Sequence, residues 1–159
     1  MIPVIYTDSE VATLLQERKV LPFGLGDRAF RMKPKVGHTE GEATLMGDAG
    51  NTYRLILRQN ARFVLDFSVI LPVRVAESGR WFRLRRCNGR SHQHTNRLEG
   101  ERFVGFHIHE ATERYQAVGL NEDGYAEPTN RYGDFEGALT CVQQDAHIEL
   151  PPGAQTRLF

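Results

Sequence analysis

Four of the six histidines come as two pairs, His92-Gln-His94 and His107-Ile-His109. Imidazole is the side chain best suited to moving protons near neutral pH, and two rings can divide that work, one removing a proton and the other returning it to a leaving group. Around the first pair, Arg80 to Arg102 holds seven arginines, at 80, 83, 85, 86, 90, 97 and 102, against Glu99 and Glu101. A planar guanidinium grips phosphate or carboxylate through a fork of donors, and arginine outnumbers lysine seventeen to three in this chain. The formal net charge of zero excludes bulk electrostatic binding to nucleic acid and leaves a local anion site.

Paired histidines beside clustered arginines suit internal transfer in RNA, where the 2′-hydroxyl attacks its neighbouring phosphate. That reaction needs a base, an acid and a cation, and neither a metal nor a protein nucleophile. His107 or His109 with His92 or His94 would supply base and acid, and Arg83, Arg85, Arg90 or Arg97 would stabilise the pentacovalent phosphate. Tyr115 or Thr95 would orient the substrate. The stretch Gly124-Tyr-Ala-Glu-Pro-Thr-Asn-Arg-Tyr132 would wall the site, with Tyr125 or Tyr132 stacking on a base and Arg131, Thr95 and Asn96 adding polar contacts. The expectation is a toxin-like, metal-independent and cofactor-free endoribonuclease, with RNA as substrate and a neutralising antitoxin or inhibitor protein as partner.

Two rival readings use the same residues. Histidines two apart on a strand can chelate one ion, and two such pairs can complete four ligands. His92-x-His94 followed by Glu99 resembles the first metal motif of the cupins, although no second cupin motif follows. A non-catalytic module, of antitoxin or phage-inhibitor type, would use the same surface to hold a protein or nucleic acid. In a purely structural role, the loop pair would bond backbone groups and the strand pair would face carboxylates such as Glu110 or Glu113. Neither a Gly-x-x-x-x-Gly-Lys nor a Gly-x-Gly-x-x-Gly phosphate loop occurs.

The elements that must position these groups read as α+β: an antiparallel meander of about five to six strands, with an N-terminal helix and C-terminal helices on one face. Thr7-Asp-Ser-Glu10 has the capping-box spacing and opens a helix that buries Val11, Leu14 and Leu15 and stops before Pro22. An irregular connection follows, with an edge strand near Ala29 to Met32. Period-two alternation then predicts strands over 42–46, 52–58, 62–75, 81–87 and 101–109. In the fourth, Phe82 and Leu84 face one way and Arg83 and Arg85 the other. In the fifth, Val104, Phe106 and Ile108 face the core, while His107 and His109 share an open face about 7 Å apart. Residues 88–100 and 119–133 read as loops. Helical spacing covers 110–118, ended by Gly119, and Asp134 caps a last helix before a Pro151-Pro-Gly tail.

The 159 residues suit one domain spanning 1–159, with 40% apolar and 25% charged residues in ordinary globular balance. No apolar run approaches the ~20 residues that span a bilayer, and the start lacks a signal peptide's basic flank and apolar core. Cys87 and Cys141 are too sparse for a disulfide framework and read as buried free thiols. A cytoplasmic protein is expected.

Three stretches, Arg83-Leu-Arg-Arg-Cys-Asn-Gly-Arg-Ser-His-Gln-His-Thr-Asn96, Phe106-His-Ile-His-Glu-Ala-Thr-Glu-Arg-Tyr-Gln116 and Gly124 to Tyr132, resemble a family of small uncharacterised prokaryotic proteins often associated with mobile elements and defence regions. The likeness covers roughly residues 80–146. The resemblance implies a toxin or phage-conflict setting and transfers no catalytic residue.

Overall fold

A computed structural model describes residues 3–21 and 32–149. In chain order these form α1 (Asp8–Gln16), β1 (Lys19–Val20), β2 (Lys33–Pro34), β3 (His38–Gly47), β4 (Thr52–Asn60), β5 (Phe67–Arg74), β6 (Trp81–Asn88), β7 (His94–Asn96) and β8 (Glu101–Phe103). Then follow β9 (His107–Glu110), α2 (Glu113–Ala117), β10 (Ala126–Pro128), α3 (Phe135–Asp145) and β11 (Ile148–Glu149). The edge strand expected near Ala29 lies outside the described residues except for Met32, which joins no strand; the tail from Pro151 lies outside them too. Among the described residues no helix is long and apolar enough to cross a membrane.

The α+β expectation holds in outline. The main sheet runs β10-β9-β6-β5-β4-β3-β1-β11 with β2 added beside β3, and every pairing is antiparallel except β1 with β11. Among the described residues it has nine strands where five to six were expected, because β1, β2, β10 and β11 are two or three residues long and too short to display a period. A separate two-stranded hairpin joins β7 to β8.

One face carries the core. Tyr53, Leu55 and Leu57 of β4, Phe67, Val69, Leu71 and Val73 of β5, and Phe82 and Leu84 of β6 are all buried there. Helix α1 closes over them with Val11, Leu14 and Leu15, and α3 with Phe135, Ala138, Leu139 and Val142. Each such side chain contributes about 1.5–3 kcal/mol when taken fully from water. Both helices start as the sequence predicts: Thr7 and Glu10 complete the capping box, and the Asp134 carboxylate accepts from the Gly137 N–H. Their far ends meet at Lys19, whose fully buried ammonium donates to the carbonyls of Leu14 and Leu15 in the last turn of α1, of Glu17 at its cap, and of Ala146 after α3.

Three departures from the sequence reading set the geometry of the site. The strand expected over 62–75 begins only at Phe67, because the Asn60 side chain accepts from the Arg62 and Phe63 N–H groups and turns the chain, leaving Phe63 71% exposed. In β6 the register slips opposite Leu71/Pro72, with Leu71 facing Arg85 and Pro72 facing Arg83, so Leu84 is an extra residue. That bulge inverts the alternation: Arg85 turns toward α3, and Arg86 joins Arg83 on the opposite face. Finally, the strand expected over 101–109 is broken at Val104, which is exposed; β8 folds back on β7, and β9 alone enters the main sheet between β6 and β10. The hairpin lies against β9. His107 and His109 are therefore buried, and the open face expected for them does not exist.

Candidate metal centre

His107 and His109, two apart on β9, project to the same side of the sheet. The β7–β8 hairpin brings His94 against both, with ring centroids 5.3 Å from His107 and 4.8 Å from His109; the two strand rings are 5.0 Å apart. One nitrogen from each of the three rings lies within 4.8 Å of the others. Nitrogens in a tetrahedral zinc sphere stand about 3.4 Å apart, so binding requires only small ring movements.

The remaining ring nitrogens are all engaged with acceptors. His107 Nδ1 donates to the Gly105 carbonyl at 2.8 Å, and His109 Nδ1 to the Asp123 carbonyl at 2.6 Å. Gly105 has φ +115°, a conformation disfavoured for other residues, and this aims its carbonyl back at the ring. His94 Nε2 faces Asn96 Oδ1 at 2.8 Å. The Asn96 amide is oriented by Ala126, whose N–H donates to Oδ1 at 2.9 Å while Nδ2 donates to the Ala126 carbonyl at 2.8 Å. A carbonyl oxygen only accepts, so each facing ring nitrogen carries the proton. The unprotonated nitrogens are therefore His94 Nδ1, His107 Nε2 and His109 Nε2, of which the two on the strand face the Asn88 side chain.

Burial keeps the two strand rings neutral, depressing His107 to about 4 and His109 to about 2, with the nearby Arg86 charge adding to the effect. Asn88 Oδ1 accepts from the Ser68 hydroxyl, so its Nδ2, 3.4 Å from both Nε2 atoms, donates toward those lone pairs and would turn away when an ion binds. Metal ligation requires such neutral rings, and a second hydrogen bond from each ring to a fixed acceptor is the arrangement that orients ligand histidines.

The cluster opens on a cleft of about 310 Å³ lined by Arg86, Asn88, His92, His94, Arg97 and His109, among others. Arg86 Nε and Arg83 Nε each lie 3.3 Å from the Asp123 carboxylate, which is 1% exposed. Burial pushes that carboxyl above its usual range against the pull of Arg86 and Arg83. The Arg80 guanidinium and the Arg83 backbone N–H both bind Glu122, so two buried acids hold this arginine group in place.

No protein-family model, curated protein or solved structure matches the chain. The functional reading rests on the geometry.

Of the residues that the sequence nominates, the fold gathers His92, His94, His107, His109, Thr95, Asn96, Arg97 and Tyr115 around this cluster. His92 is exposed, its Nδ1 facing Ser91 Oγ at 3.0 Å, and its ring meets His107 edge-on at 5.8 Å. The Tyr115 hydroxyl donates to Glu99 at 2.7 Å and ties the hairpin to α2. Others are held elsewhere. Arg85 and Arg131 share Asp145 and line a second cleft of about 690 Å³ beyond β10, where Tyr125 bonds Glu127. The Tyr132 hydroxyl lies 2.7 Å from the Asn88 carbonyl and 2.9 Å from that of His107, in the core and out of a base's reach. Arg90 sits over Phe106. Arg83 is committed to the two acids. Sequence reasoning missed Arg86, Asn88 and Asp123: Arg86 because the bulge decides its face, Asn88 because Asn-Gly reads as a turn, and Asp123 because its ligand-orienting group is a backbone carbonyl.

Proposed function

We propose that this protein is a metal-dependent enzyme in which His94, His107 and His109 hold one divalent transition ion, zinc being the best fit to three imidazoles. The observation that carries this is the convergence of three lone pairs whose opposite ring nitrogens all donate to fixed acceptors. Three protein ligands would leave a position open to water, and a zinc ion held there would supply a nucleophile at neutral pH. Ester hydrolysis is the reaction class, with RNA phosphodiesters among its substrates.

Acid–base transfer without metal would need one charged ring beside a neutral one, and the burial of His107 and His109 opposes charging either. One observation favours that second reading: exposed His92 touches His107 and would serve as the acid. A toxin role with a neutralising partner belongs to that reading.

The test is cleavage of labelled RNA and of a simple phosphate ester by protein purified without chelator. Activity lost in EDTA and restored by zinc supports the metal enzyme. RNA cut equally well in excess EDTA supports metal-free transfer, and no turnover of either substrate with zinc bound contradicts catalysis.

A further inference from the structure

Arg86 differs from Arg80, Arg85 and Arg131 in what it leaves unused. Arg80, Arg85 and Arg131 each donate side-chain hydrogen bonds to a carboxylate, and Arg83 lies near two, Glu122 and Asp123. Among the described residues Arg86 has a single acidic partner, Asp123, approached by Nε at 3.3 Å. Both Nε and the facing Oδ2 are buried without a well-formed hydrogen bond, so that pairing is electrostatic. The two terminal nitrogens donate to no protein group among the described residues, although the side chain is only 25% exposed and lines the histidine cleft. A guanidinium with a free outer edge, backed by a buried acid and aimed into a cleft, is built to receive an acceptor.

We infer that Arg86 forms an oxyanion subsite beside the metal centre, where its guanidinium would hold the substrate's anionic group. This rests on the metal reading above. The chemical class is a phosphate ester or a carboxylate, both of which fit a guanidinium fork. The position would suit charge that develops on the substrate as its ester bond is cleaved. Asp123 links the two halves of the site: its carbonyl orients His109 and its carboxylate restrains Arg86, so ligand and anion anchor keep a common frame. Arg97 on the rim is exposed and would steer the anion in without holding it.

The experiment loads the chelator-stripped protein with cobalt(II), whose visible bands report ligands at the ion, and titrates inorganic phosphate and, separately, acetate. In the native protein one or both anions should shift the bands, the tighter of the two assigning the class. Arg86→Gln should weaken that binding by about tenfold or more, the size of a lost charge-assisted hydrogen bond, with Arg86→Lys falling between. Arg97→Gln should change it less. If the Arg86 variants fail to fold, the Arg86 Nε–H resonance of the native cobalt-free zinc protein replaces them, and it should move on adding the tighter anion. Unchanged anion affinity in Arg86→Gln, or an Arg86 resonance that ignores the anion, overturns the subsite and leaves the metal centre standing. Failure of cobalt to bind at all overturns both.

Discussion

His109 Nδ1 donates to the backbone carbonyl of Asp123 across 2.6 Å, and that bond joins a strand of the main sheet to the loop after α2. It fixes which nitrogen of the buried ring keeps its proton and turns Nε2 toward His94 and His107. The other two rings are oriented in the same manner, by Gly105 and Asn96. Three separate acceptors thus turn three lone pairs toward one place, where Asn88 Nδ2 stands 3.4 Å from two of them.

Asn96 offers a test of that orientation away from the ligands themselves. Asn96→Ala removes the acceptor for His94 Nε2 and leaves both polar groups of Ala126 without their partner. Zinc affinity should fall by about 10–100-fold, the usual effect of losing an outer-shell partner. Stability should fall by about 1–3 kcal/mol for each buried group left unpaired. Competition titration against a chromogenic chelator and urea unfolding measure the two effects; unchanged affinity would mean that His94 needs no orienting acceptor.

Acid should weaken the metal-free fold. In the unfolded chain histidine takes up its proton near pH 6.5, whereas folded His107 resists until about 4 and His109 until about 2. Below pH about 6.5 the unfolded chain therefore binds more protons than the native one. The stability that the two rings contribute is fully present above that pH and is lost as the pH falls, at about 1.4 kcal/mol per pH unit for each. Urea unfolding in EDTA at pH about 7 and about 5 reads this directly. Equal stability at both would show that the rings are not held neutral by burial.

Lys19 bears on the scaffold. Its ammonium, lowered to about 8 by burial and still charged at neutral pH, joins the carbonyl ends of α1 and α3. Lys19→Met leaves these buried acceptors without a donor and should cost about 3 kcal/mol or more. Metal affinity should be unaffected, since the residue stands at the other end of the sheet from β9. A loss below about 0.5 kcal/mol would mean that water replaces the ammonium there.

Much of this arrangement was legible in the residues. The histidine pairs, the arginine run, both helix caps and the alternation of β4 are local patterns, and they pointed to the stretch where the fold gathers the histidine cluster. The departures have non-local causes. The bulge at Leu84 depends on pairing with Leu71 and Pro72, and it sends Arg86 to the site and Arg85 away from it. The β7–β8 hairpin is three residues on each strand, too short to announce itself, yet it turns an open strand face into a buried cluster. Tyr132 looked like a stacking wall because tyrosines in loops often are; its hydroxyl instead sits between the β6 and β9 carbonyls.

Metal stoichiometry is the most direct measurement. Chelator-stripped protein titrated with zinc or cobalt should take up one equivalent, with a cobalt spectrum typical of nitrogen-rich, low-coordinate ligation. His94→Ala, His107→Ala and His109→Ala should each weaken binding by more than about 100-fold, beyond the loss expected for an outer-shell partner. Binding of no ion by the folded native protein, or binding that survives all three substitutions, would contradict the three-histidine centre.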